Sequence, residues 1–153
     1  MVDMNRLVGN MRTAELKDTA GIAVLEAEVF SHPWNEEMVS SSIQGTYDHV
    51  KILETAEGKI TGYIIYSVVC DSADLLRVAV DAGTRHCGVG RKLMEAMIDD
   101  CVTGDVQNIF LEVRESNAAA IAMYEKMGFL KISTRKKYYD LPVEDGLVMQ
   151  KQL

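Results

Sequence analysis

The chain is poor in several residue types whose abundance would have settled its class. It holds only three cysteines, Cys70, Cys87 and Cys101. The set is odd and has no C-x-x-C spacing, which excludes a disulfide framework and a paired-cysteine metal site. Free thiols suit a reducing compartment, so a cytoplasmic protein is expected. Two prolines leave no proline-rich linker, and neither a repeat nor a low-complexity segment is present. No apolar run approaches the roughly 20 residues of a membrane helix. The start of the chain lacks the apolar stretch of a secretory signal. Basic residues are the minority, 16 against 23 acidic ones, for a net charge of −7. That balance argues against a nucleic-acid surface and favours a cationic partner such as a basic peptide end. At 153 residues a single domain with a proper core is expected over 1–153.

What the chain does have is a regular succession of patterned segments. A short strand is expected near 7–11. Asp18 and Thr19 offer caps for a helix with Ile22, Leu25, Val29 and Phe30 at helical spacing. His32-Pro33-Trp34 breaks it, and a second helix runs to about Gln44. Segments 49–54 and 59–69 read as a hairpin turning at Glu57-Gly58, and 73–80 as the next strand. Leu93, Met94, Met97, Ile98 and Cys101 make one helix face, stopped near Gly104. Residues 108–114 alternate, with Ile109, Leu111 and Val113 on one face. Ser116 or Asn117 caps a helix that presents Ala120, Met123, Tyr124 and Met127 and ends at Gly128. Strands at 129–139 and 146–150 complete the chain. The order β-α-α-β-β-β-α-β-α-β-β predicts an α/β (α+β) sandwich, a mixed sheet with helices on both faces.

The chemistry is concentrated in two stretches. In the first, the strand-like run Val78, Ala79, Val80 is followed by Arg85, His86, Cys87, Gly88, Val89, Gly90 and Arg91. Two glycines opening a helix let backbone N–H groups approach a phosphate at the positive end of the helix dipole. A Walker loop fails because Val89 stands at the lysine position. A dinucleotide loop fails because Leu93 stands at the third glycine. The second stretch runs from Leu111 to Phe129, with Glu112 inside a strand and Asn117 and Tyr124 on one face of a helix, roughly 10 Å apart.

Together these stretches resemble the GCN5-related N-acetyltransferases. Arg85, Gly88 and Gly90 match the Q/R-x-x-G-x-G/A loop. Asn117, Ala120, Tyr124, Gly128 and Phe129 match N-x-x-A-x-x-x-Y-x-x-x-G-F. Leu111-Glu-Val-Arg114, Tyr138-Tyr139, Glu144-Asp145, Met149 and His32-Pro33-Trp34 are similar to the ribosomal-protein-alanine group within that family. His86 and Cys87 depart from the usual loop residues, and the tail is short after Met149. The resemblance implies a mostly antiparallel central sheet whose splayed strand pair holds acetyl-CoA, without a metal. The loop from Arg85 to Arg91 would seat the pyrophosphate. Asn117 would hold the pantetheine, and backbone N–H groups of 77–80 would meet the thioester oxygen.

Glu112 carries two readings at this level. It is an ion-pair partner of Arg114, two residues on, or a general base for the attacking amine. A base is needed, because an α-amine of pKa near 8 is only about a tenth neutral at pH 7. Tyr124 is either a packed core aromatic or the donor to the leaving sulfur. Trp34, Tyr138 and Tyr139 line an acceptor groove or are plain core and surface aromatics. The basic cluster of Lys131 and Arg135-Lys-Lys137 is a solvated strand face, or it meets cofactor phosphates or substrate. Cys87 lies too far along the cofactor from the acetyl group for a covalent role. The expected acceptor is a basic protein N-terminus, of a ribosomal protein by resemblance. The alternatives are a lysine or small-amine acetyltransferase, and a non-catalytic CoA-binding domain. The presence of both Glu112 and Tyr124 argues against the last.

Overall fold

The computed structural model describes residues 4–153. Its strands are β1 (Asn10–Thr13), β2 (Asp48–Glu54), β3 (Ile60–Val69), β4 (Ser72–Val80), β5 (Asn108–Arg114), β6 (Leu130–Tyr139) and β7 (Glu144–Gln152). They form one sheet in the order β1-β2-β3-β4-β5-β7-β6. Only β4 and β5 pair in parallel; the other neighbours are antiparallel. The helices are α1 (Met4–Val8), α2 (Thr19–Val29), α3 (Glu36–Gln44), α4 (Val89–Thr103) and α5 (Ala118–Lys126). The mixed sheet expected from the element order is observed, with helices on both faces.

Strand β3 is apolar on both sides because both sides are covered. Tyr63 and Ile65 face a core shared with Ile22 and Leu25 of α2 and Val39 of α3. Ile64 and Tyr66 face a second core built on Leu93, Met94 and Met97 of α4. The alternation of β5 sends Ile109, Leu111 and Val113 into that second core. Phe110, Glu112 and Arg114 therefore point to the face carrying α2 and α3.

Two local expectations differ from the structure. The segment expected as a strand near 7–11 begins as helix α1, and the strand starts only at Asn10. Gly9, at φ +93°, makes the break: a Cβ there would lie 2.4 Å from the Glu54 carbonyl carbon. A close crossing of this kind overrides the strand preference of Leu7 and Val8. Asp18 precedes α2 but makes no side-chain cap. Its carboxylate instead accepts two bonds from Arg12, at 2.7 and 2.8 Å, and one from the Glu15 N–H at 2.7 Å.

Candidate active site

The β4–β5 ladder is short, pairing only Ser72 to Asp74 with Asn108 to Phe110. Beyond it the strands separate, leaving β4 N–H groups that point towards β5 without a ladder partner. A bulge also falls in β4: Ile65 opposes Arg77 and Tyr66 opposes Leu75, so Leu76 is extra. The bulge switches the alternation. Leu75, Val78 and Val80 pack on the α4 side, while Arg77 turns to the α2 side and meets Glu26.

The gap is a cleft of about 460 Å³ lined by Leu75, Leu76, Arg77 and Val78 of β4 and by Glu112, Val113 and Arg114 of β5. Asn117 and Tyr124 of α5, Phe30 and His32 after α2, and Tyr139, Leu141 and Pro142 complete its lining. Glu112 also lines a second cavity of about 470 Å³, with Asp74, Arg135, Tyr138 and Tyr139. The fold thus brings Glu112, Tyr124, Asn117, Val78 and Tyr139 together from segments far apart in the chain.

Of the two readings of Glu112, the ion pair with Arg114 is not formed. Arg114 donates to Glu144 Oε1 at 3.0 Å and to the carbonyls of Pro142 at 2.9 Å and Asp140 at 2.8 Å. Same-face spacing on one strand holds two side chains apart, whereas the turn before β7 brings Glu144 directly to Arg114. Glu112 is instead met by Arg135, whose Nε lies 3.0 Å from Oε1. Its influence extends further. Its carboxylate holds the Tyr138 phenol above its usual range and adds to burial in raising Asp74.

Tyr124 is 5% exposed and lies edge-on to Phe129, with centroids 5.9 Å apart. Burial first, then Tyr139, pushes its phenol up to about 12. The group is therefore neutral and proton-bearing at any working pH. Tyr139 is likewise pushed up to about 12, by burial and then Glu112. Both tyrosines near position 138 owe their placement to Gly146, where a Cβ would come within 3.1 Å of each ring. Ladder pairing of β6 with β7 slips between Arg135 and Tyr139. Asp145 holds the slipped segment by accepting the Lys137 N–H at 2.9 Å and Lys136 Nζ at 3.0 Å. Of the basic cluster, Arg135 and Lys136 are thus in ion pairs. Trp34 does not line the cleft. It packs at the edge of the α2–α3 core, 5.4 Å from the Arg77 guanidinium.

At the start of α4, Gly88 has φ +79° in the left-handed region and offers no side-chain cap. The first intrahelical bond runs from the Lys92 N–H to the Gly88 carbonyl at 3.0 Å. The amides of Val89, Gly90 and Arg91 are those a helix leaves without an internal acceptor. A Cβ on Gly88 would meet nothing within 4 Å, and one on Gly90 would touch Met123 of α5 and Val80 of β4. The loop therefore adjoins the open strand pair. Arg85 and His86 are exposed, Cys87 is half-buried against the α4 core, and Arg91 pairs with Glu95 at 2.8 Å. Ala79 is buried under α2 and α3. Asn117 caps α5 by accepting the Ala120 N–H at 3.3 Å and lines the cleft.

Sequence reasoning missed the Arg77 side chain, Gly146 and the role of Arg135. An arginine inside an apolar strand and a glycine inside another were the available signals for the first two. For Arg135 no local signal exists, because its partner is set by strand order.

Three comparisons bear on this arrangement. Residues 20–129 match the model of the acetyltransferase (GNAT) family. The [ribosomal protein bS18]-alanine N-acetyltransferase of Escherichia coli K12 is 35% identical over 139 residues, covering 91% of both chains. A putative enzyme of the same description from Bacillus subtilis is 29% identical, covering 91% of this chain and 92% of its own. The crystal structure of the Escherichia coli ribosomal-protein-S18-alanine N-acetyltransferase superposes with a TM-score of 0.86 at 35% identity, over 94% of this chain and 92% of that one.

Proposed function

The chain belongs to the acetyltransferase (GNAT) family, and from that premise we propose that it transfers acetyl from acetyl-CoA to the α-amine of a protein beginning with alanine. Ribosomal protein bS18, for which its relatives are named, is the acceptor of choice, and the cytoplasm the place. One observation carries the reading: Glu112 and Tyr124 line the same cleft where β4 and β5 part.

The residues present fit a CoA thioester. Gly88 leaves open space beside the amides that begin α4, a seat for pyrophosphate oxygens. Asn117 offers its amide to the pantetheine. Acetyl-CoA, when bound, supplies an activated acetyl group and a good leaving group. The protein supplies the rest. Unpaired N–H groups of β4 face the charge that develops on the carbonyl oxygen. Glu112 accepts the proton that the amine must lose, directly or through water. Tyr124 donates a hydrogen bond to the departing sulfur. Its phenol, pushed up to about 12, is far less acidic than a thiol of ~8.5. Complete proton transfer would run uphill, so Tyr124 steadies the thiolate while the proton leaves through Glu112.

The test uses a basic peptide beginning with alanine, unblocked or N-blocked with its lysines free. Acetylation of the first alone, at its α-amine by mass spectrometry, is expected. Equal rates on the two would replace this reading by lysine acetylation.

A further inference from the structure

Three arginines line the two cavities, and two of them are committed elsewhere. Arg77, its side chain 18% exposed, is bound to the buried Glu26. Arg114, 25% exposed, is bound to Glu144. Arg135 is 56% exposed, stands on the edge strand β6, and lies 3.0 Å from Glu112. Its guanidinium also rests over the Tyr138 ring, 5.3 Å from the centroid. The carboxylate that must receive an ammonium group is therefore already occupied by a cation. Asp74 lines the same cavity and makes no ion pair among the described residues.

We propose that Arg135 is a displaceable counter-cation of Glu112, masking the carboxylate until the acceptor's ammonium takes its place, and that Asp74 receives the displaced guanidinium. This rests on Glu112 being the base. A half-exposed ion pair is weak and screened by water, so exchange of one cation for another is easy. The β6–β7 ladder slips just after Arg135, and the half-exposed side chain is free to swing through solvent. Arg135 acts through Glu112 and is a positioning residue.

The consequence is asymmetric between free enzyme and complex. In the free enzyme Arg135 neutralises the carboxylate, so its loss leaves Glu112 an anion open to the acceptor's ammonium. In the complex the acceptor's own ammonium performs that service. The other charged groups around Glu112 are Asp74 and Arg77 from β4 and Arg114 from β5 itself. Tyr138 and Tyr139 approach from β6, and Tyr124 and His32 lie across the first cavity. With Arg77 and Arg114 held by their own carboxylates, Arg135 is the cation whose removal Glu112 feels.

The experiment compares R135Q and R135K with the parent enzyme, using a basic alanine-initiated peptide across salt concentrations. R135Q is expected to lower the peptide KM roughly two- to fivefold. The gain should shrink as salt is added, because screening weakens the ammonium's attraction to the freed carboxylate. R135K, which keeps the charge, should stay within about twofold of the parent. D74N should raise the peptide KM only where Arg135 is present. A raised KM in R135Q, or a gain that salt leaves undiminished, overturns the counter-cation role, and so does an R135K that behaves like R135Q. An equal D74N effect with and without Arg135 overturns the receiving role. E112Q separates the premise: full turnover in that variant overturns the base and this proposal together. Impaired E112Q with an unlowered KM in R135Q overturns Arg135 alone.

Discussion

Glu112 and Tyr124 line one cleft in opposite environments. Glu112 sits at the junction of two cavities with an arginine on it, so it can exchange a proton with water. Tyr124 is buried with its phenol raised, so it can only lend a hydrogen bond. Replacement of Glu112 by Gln should keep acetyl-CoA affinity and lower turnover by about 10²–10⁴-fold. Part of the loss should return above pH ~8, where the α-amine deprotonates unaided. Rate measurements across pH decide this; wild-type turnover near neutrality would make Glu112 a structural anion. Replacement of Tyr124 by Phe preserves the edge-on contact with Phe129. The expected defect is in kcat and does not shrink as pH rises, because nothing in the phenol's task depends on amine protonation. A change in melting temperature without a kinetic defect would make the phenol a packing group.

Two elements around the site are each shaped by a glycine. The turn into α4 is left-handed at Gly88, with open space where a side chain would stand. Gly88→Ala should reduce stability by about 1 kcal/mol and weaken acetyl-CoA binding more than that, as titration calorimetry would read. Undiminished binding would remove the α4 start from the cofactor site. On β7, Gly146 allows Tyr138 and Tyr139 to lie across the strand. Gly146→Ala should push the rings, raise the acceptor KM and leave acetyl-CoA affinity unchanged. An effect on both substrates would show a general collapse of the cleft instead. Arg114 ties the segment before β7 to Ser31 after α2, so the cleft mouth joins two distant loops.

For the whole molecule, the ionisable groups set a stability window. Arg12 holds Asp18 below the usual carboxylate range, and Arg114 with Ser116 does the same for Glu144. Stability from these groups is complete above the unfolded carboxylate value near 4 and is lost as pH falls through their lowered values. Tyr63 and Tyr66 are raised chiefly by burial, and Tyr124 and Tyr139 are pushed up to about 12. Their contribution is complete below the unfolded tyrosine value near 10 and is lost as pH climbs from there. Urea midpoints should therefore fall at pH 3 and at pH 11 relative to pH 7. A midpoint unchanged at pH 11 would contradict the burial of these phenols. The net charge of −7 also makes kcat/KM for a cationic peptide fall as salt is added.

The sequence by itself determined the element order from β1 onward, both helix faces of the α4 core and the glycine loop, because these depend on spacing within single segments. The alternation of 108–114 placed Glu112 away from the α4 core before any contact was known. Local pattern also brought Asn117 and Tyr124 onto one helix. Only the tertiary structure decided what touches Glu112. Spacing on β5 suggested Arg114, but strand order put β7 and then β6 beside β5, giving Glu144 to Arg114 and Arg135 to Glu112. The bulge at Leu76, which turns Arg77 towards Glu26, is equally invisible in one strand, since a bulge is a relation between two. Trp34, read from the sequence as either a groove or a core aromatic, stands at the edge of a core. An ion pair between residues far apart in the chain is fixed by which backbones lie side by side, and no spacing within a segment encodes that.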